Sequence, residues 1–178
     1  MEKTKKIKLI IGLFYIIFLG LFLFFFFSNF TLQEVTSYEF IKENRNFFLE
    51  LKQTNLFLLA ISFIFFTIIW VLAAGFGAPI ALISGFIFGK WFGTLFVLIG
   101  MSVGATFLYI FGNFFLKEFV EEKFLEKYKN LEEKFKKSEF FYLLIYRFIG
   151  GIPFAISNIL PCIFNVKITN FFLATFLG

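Results

Sequence analysis

Arg147 is the residue around which chemistry could be built. It lies in YRFIGGIPFAISN, Tyr146 to Asn158, within an otherwise apolar run from Phe140 to Phe164. A guanidinium keeps its proton at any relevant pH, and at membrane depth it needs an anion, carbonyl oxygens or water beside it. Gly150, Gly151 and Pro153 break the backbone just after it, and Asn158 adds an amide. Backbone N–H groups freed at Gly150 and Gly151 would join that amide as neutral donors next to the cation, the donor set of an anion site. The structural alternative has Arg147 capping carbonyls opened by Pro79, earlier in the chain, with no ligand. An unpartnered cation costs on the order of 3 kcal/mol on insertion scales, so either reading gives Arg147 a partner.

Other chemistry lacks its residues. His and Asp are absent, and the 12 acids are all glutamates, at Glu2, between Glu34 and Glu50, and between Glu118 and Glu139. Without His or clustered carboxylates in the apolar parts, neither general acid/base work, a nucleophile triad nor a metal site can be assembled. No enzyme activity, metal or cofactor is expected. A single cysteine, Cys162, forms no internal disulfide.

The elements that position Arg147 are set by composition. Of 178 residues 60% are hydrophobic and 24% aromatic, with 35 phenylalanines. One globular core of this size cannot hide that surface, so lipid must be part of the solvent. The net charge of +5 comes from lysines in short polar segments between apolar runs, which fits membrane topology and lipid headgroups and gives no reason to expect nucleic acid.

Lys3, Lys5, Lys6 and Lys8 precede an apolar run from Ile7 to Phe27, read as a retained transmembrane anchor, 1–30, with its amino end in the cytoplasm. Residues 31–54 form an amphipathic connector carrying the capping-box patterns Thr31-x-x-Glu34 and Thr36-x-x-Glu39. From Asn55 to Phe115 the chain is apolar, with Lys90 as its single charge. Leu56 to Ala74 is long enough to span a bilayer. Gly75, Gly77 and Pro79 then interrupt, and such a broken backbone survives in lipid only against protein or a watery cavity. Ile80 to Phe88 is too short to span and reads as a limb of a re-entrant hairpin turned around Gly85 and Gly89. Trp91 to Phe115 is a full span whose Gly100-x-x-x-Gly104 permits close helix packing. Lys117 to Glu139, with seven lysines and seven glutamates, reads as a linker helix with a solvated face at the membrane surface.

The two halves echo each other. Gly77-Ala-Pro79-Ile-Ala81 is answered by Gly151-Ile-Pro153-Phe-Ala155, and Gly104 stands as far from Pro79 as Gly178 from Pro153. Paired Gly/Pro-interrupted apolar segments point to a transporter-like site near the bilayer midplane. The expected fold is therefore an all-α membrane protein: transmembrane helices with two re-entrant helical hairpins in a pseudo-repeat, plus interfacial amphipathic helices. Arg147, Asn158, Gly150, Gly151, Pro153, Pro79, Gly77 and Lys90 are the candidate substrate-binding residues. Lys90, like Lys167, either snorkels to the headgroups or offers a cationic entry point for lipid phosphate.

Several of these residues carry a resemblance. Gly85-Phe-Ile-Phe-Gly89 with Gly93-Thr94, Gly100-x-x-x-Gly104-Ala105-Thr106, then Arg147, Ile152-Pro153-Phe154, Asn158, Phe171, Thr175 and Gly178 resemble the DedA superfamily, also called SNARE-associated Golgi or VTT-domain membrane proteins. The likeness covers roughly residues 55–178. It implies transmembrane helices around two re-entrant hairpins from opposite sides. It also implies movement of lipids between leaflets: scrambling in eukaryotic relatives, and translocation of polyprenyl-phosphate or phospholipid in bacterial ones. The corresponding location would be a bacterial inner membrane. Bacterial members that use the proton gradient carry acids in the first hairpin region, whereas Asn55 to Leu116 has none.

The leading expectation is a scramblase or flippase acting on anionic headgroups at Arg147 and Asn158. Its rivals are a secondary transporter of a small anion and a non-transporting membrane assembly factor whose linker helix docks a partner. A homo-oligomer or a membrane protein partner is compatible with each.

Overall fold

The computed structural model describes residues 2–29, 42, 46, 50, 53, 55–73, 75, 77–120, 135–149 and 151–178. The connector at 31–54, the greater part of the linker helix at 117–139, and Gly150 thus lie almost wholly outside the described residues. The chain divides into two compact units, Met1–Asn46 and Phe47–Gly178. All described secondary structure is helical.

In the first unit, α1 spans Glu2–Asn29. Its apolar window, Lys6–Phe26, has 21 residues, enough to cross a hydrocarbon core of about 30 Å, and none of it is buried against protein. Phe18, Phe22 and Phe26 stack at successive i, i+4 positions along it.

The second unit begins with α2, Leu56–Leu72, whose N-cap Asn55 accepts a hydrogen bond from the Leu58 N–H through its side chain. The next helix, α3, covers Gly77–Val120 and is apolar over Gly77–Phe115, but it is not one rod. At Gly89 φ is 77° and ψ −180°, a region open essentially to glycine alone. There the arm 77–88 meets the arm 90–120 and folds back on it. A Cβ built on Gly93 would stand 2.7 Å from the Ser84 carbonyl oxygen, one on Gly77 2.8 Å from the Met101 methyl, and the Phe88 and Phe96 rings lie 4.9 Å apart edge to face. The turn is at Gly89 alone. Gly85, also expected at the turn, sits inside the helical arm.

The spacing Gly100-x-x-x-Gly104 does what small residues do in membrane bundles. A Cβ on Gly100 would meet Thr67 Cβ at 2.8 Å, and one on Gly104 would meet Val71 Cβ at 2.8 Å, so α2 lies directly against the 90–120 arm. Both contacts advance by four residues together, so the two helices run parallel.

The remaining elements are α4 (Glu139–Ile149), α5 (Phe154–Ile159), a 3-10 helix (Leu160–Phe164) and α6 (Ile168–Leu177). Gly151, with φ 78°, turns the chain between α4 and α5, and Asn165, with φ 44°, turns it between the 3-10 helix and α6. Asn165 therefore shapes the backbone. Tyr109 ties this half to the long arm of α3: its ring stacks on Phe171 at 4.5 Å and its hydroxyl donates to the Val166 carbonyl at 2.6 Å. Val71, Ala105, Leu143, Cys162 and Ala174 complete the core around that stack.

Glu139 is a correction to the sequence reading. The charged stretch ending there reads as a solvated face at the surface, yet Glu139 is only 7% exposed and turns toward α6. Burial is tolerated because two N–H donors meet its carboxylate, as described below.

Candidate functional site

Arg147 falls in the last turn of α4, and the break after it brings three acceptors to its guanidinium. Nη1 donates to Ser157 Oγ at 2.7 Å, while Nη2 donates to Asn158 Oδ1 at 2.8 Å and to Thr175 Oγ1 at 2.9 Å. Ser157 and Asn158 come from α5 and Thr175 from α6, so one side chain gathers three helices. Both hydroxyls direct their own protons to backbone, Ser157 to the Phe154 carbonyl and Thr175 to the Phe171 carbonyl, which leaves oxygen lone pairs free for the cation. Phe171 and Phe154 place their rings 5.2 and 5.9 Å from the guanidinium carbon, within cation–π range.

All three hydrogen-bond partners are neutral. Of the five N–H donors on a guanidinium, three are engaged, and two remain for something else. A cavity of about 180 Å³ adjoins it, lined by Tyr146, Arg147, Ile152, Phe154, Ser157, Thr175 and Gly178. Asn158 is fully buried with Nδ2 unpartnered, and the Tyr146 hydroxyl is likewise buried without a partner. The local arrangement can attract and orient an oxyanion through one fixed cation and nearby donors. It holds no general base.

The structure brings Arg147 and Asn158 together, and Gly151 and Pro153 form the exposed bend between their helices. Gly150 lies outside the described residues. Pro79 is buried and Gly77 half-buried on the short arm of α3, neither lining the cavity. The three hydrogen bonds of Arg147 go to side chains of its own half and not to carbonyls near Pro79. Lys90 is exposed beside the Gly89 turn with its ammonium 5.5 Å from the Trp91 ring, within cation–π range.

Sequence reasoning missed Ser157 and Tyr146. A hydroxyl directly before Asn158, inside the same broken segment, was the available signal for the first. For Glu139 there was none, because its partners are 28 and 31 residues away. Thr175 and Gly178, known only from the resemblance, acquire concrete partners: Thr175 accepts from Arg147, and a Cβ on Gly178 would meet Arg147 Cβ at 2.7 Å.

No solved structure matches the chain. The family model described as VTT domain matches residues 76–178, more than half of the chain and the whole of the site just described. The chain belongs to the VTT domain family, and is an integral membrane protein of the DedA/SNARE-associated Golgi type.

Proposed function

We propose that the protein moves lipids between leaflets by passing their phosphate-bearing headgroups over Arg147, at the break of the second of two re-entrant hairpins that enter the membrane from opposite sides. The carrying observation is a guanidinium whose described hydrogen-bond partners are all neutral, set beside a cavity large enough for a phosphate group. A positive charge without a carboxylate partner leaves its field available to an anion.

Helix arithmetic supports the membrane geometry. From the Gly89 turn to Asn113 the arm of α3 rises about 36 Å, slightly more than a hydrocarbon core. Exposed Lys90 and Trp91 mark one end, and the Asn113 Nδ2 bond to Asn165 Oδ1, with exposed Lys167 nearby, marks the other. Gly77 lies about 18 Å from the Gly89 end, and Arg147 about 12 Å from the Glu139 end, so both Gly/Pro breaks fall in the interior of the bilayer. The pseudo-repeat reading is supported by the order of elements, which occurs twice: helix, Gly/Pro break, short apolar arm, left-handed turn residue, parallel helix.

Reconstitution into liposomes with leaflet-labelled phospholipid tests the proposal. Wild-type protein is expected to equilibrate the label, and Arg147→Ala protein to do so at least about tenfold more slowly, the loss of one charge-assisted contact. Equal rates would overturn it. Saturable uptake of free inorganic phosphate with no lipid movement would instead favour a small-anion transporter.

A further inference from the structure

We propose that Glu139 is a positioning residue for the Arg147 site, holding α6 in axial register so that Thr175 reaches the guanidinium; this rests on the reading of Arg147 as the lipid-phosphate contact. Glu139 Oε1 accepts the Lys167 backbone N–H at 2.6 Å and Asn170 Nδ2 at 3.1 Å. Lys167 is the N-cap of α6, and its own side chain makes no capping bond. A carboxylate from another helix therefore supplies the cap, satisfying a donor that helix geometry leaves orphaned and complementing the positive end of the helix dipole.

Arg147 performs the complementary task at the far end. It donates to Thr175 and stands against Gly178, eight and eleven residues on from Lys167. Glu139 to Lys167 and Arg147 to Thr175 are both separated by 28 residues, so α4 and α6 run parallel and in step. The Tyr109 stack on Phe171 fixes α6 against α3, and against α4 these polar contacts set its position along the axis. A slip of one residue's rise, about 1.5 Å, away from Arg147 would stretch the 2.9 Å bond from Nη2 to Thr175 Oγ1 to about 3.3 Å or more and weaken it. Slipping the opposite way drives Gly178 onto the Arg147 side chain, already as close as a glycine permits. The chemistry required at 139 is an acceptor, which a glutamine retains and a leucine does not.

The test is a double-mutant cycle in the liposome assay, with Glu139→Leu, Arg147→Ala and both together, alongside thiol reactivity of Thr175→Cys. Glu139→Leu alone is expected to slow lipid movement about tenfold, the effect of stranding two part-buried donors. Added to Arg147→Ala it should slow it less than about twofold further, since the two act through one contact. Glu139→Gln should stay within about threefold of wild type, its amide oxygen taking the Lys167 N–H. The Thr175→Cys thiol, at the cavity wall but only 9% exposed in the native register, should become more reactive to a membrane-permeant maleimide when Glu139→Leu is added, while buried Cys162 stays silent. Additive slowing, or a thiol that stays protected, would overturn the proposal. Should Glu139→Leu not fold, Asn170→Leu enters the same cycle with an expected slowing of about threefold and the same non-additivity. If Arg147→Ala moves lipid at the wild-type rate, the functional reading fails, and thiol protection alone then decides whether Glu139 sets the register of α6.

Discussion

Ser84 donates its hydroxyl proton to the Gly93 carbonyl at 2.9 Å across the Gly89 turn. In a continuous helix these residues would stand about 13.5 Å apart along the axis, so the bond exists only because the arms of α3 fold back. The fold-back depends on backbone contact, since a Cβ on Gly93 would press on the Ser84 carbonyl at 2.7 Å and on Gly85 Cα at 3.1 Å. Gly93→Ala should therefore lower stability by about 1–3 kcal/mol through overpacking against backbone that cannot rotate away. Ser84→Ala should cost about 1 kcal/mol, from one hydrogen bond. Thermal melting in detergent measures both, and a Gly93→Ala protein as stable as wild type would contradict the close approach.

Gly89 and Gly85 separate two ways of needing glycine. At Gly89 the φ of 77° with ψ of −180° strains any side chain, although nothing stands within 4 Å of the place a Cβ would take. Gly85 has helical backbone and equally open surroundings. Gly89→Ala should cost about 1–3 kcal/mol, and Gly85→Ala should be neutral or slightly stabilising, by up to about 1 kcal/mol. Equal effects would mean that the turn is not where the structure puts it.

Arg147 binds three acceptors from two directions, a task suited to a planar fork and not to a point charge. Arg147→Lys should keep the charge but reach fewer of them, and Arg147→Met should strand the Asn158 amide entirely, because Asn158 Nδ2 is already unpartnered. The expected order of melting temperatures is wild type, Lys, Met, with Met costing about 1–3 kcal/mol. Lipid movement should fall in the same order. A Lys variant matching wild type in both would reduce Arg147 to a generic positive charge.

Much of this was legible in the residues, and what was not has a common cause. Arg147, Asn158 and the breaks ahead of Gly77 and at Gly151 to Pro153 stood out because polar or backbone-breaking residues are conspicuous in an apolar run. Gly100 and Gly104 could be read as packing residues and are found against α2. The partner helices could not be read. Thr175 looks like any threonine in a hydrophobic helix until α4 and α6 are laid side by side. Glu139 belongs by sequence to a lysine- and glutamate-rich stretch, and only a tertiary contact 28 residues away takes it out of solvent. Gly85 and Gly89 are equivalent in sequence, and the choice of Gly89 as the turn is fixed by where Ser84 and Gly93 meet.

The proposed inverted arrangement yields the broadest check. Lys90 and Lys167 are both exposed, and the α3 arm between their neighbourhoods rises about 36 Å, so they should lie at opposite membrane surfaces. Lys90→Cys and Lys167→Cys proteins, each treated in sealed vesicles with a membrane-impermeant maleimide, should label from opposite sides. Cys162, at 2% exposure, should contribute little background. In either protein, Arg147 should remain shielded from bulk water by the surrounding helices, about 12 Å along α4 from the surface marked by Lys167. Were both cysteines labelled from the same side, the arm would not cross the bilayer. Arg147 would then have no midplane to occupy, and lipid movement would need another route.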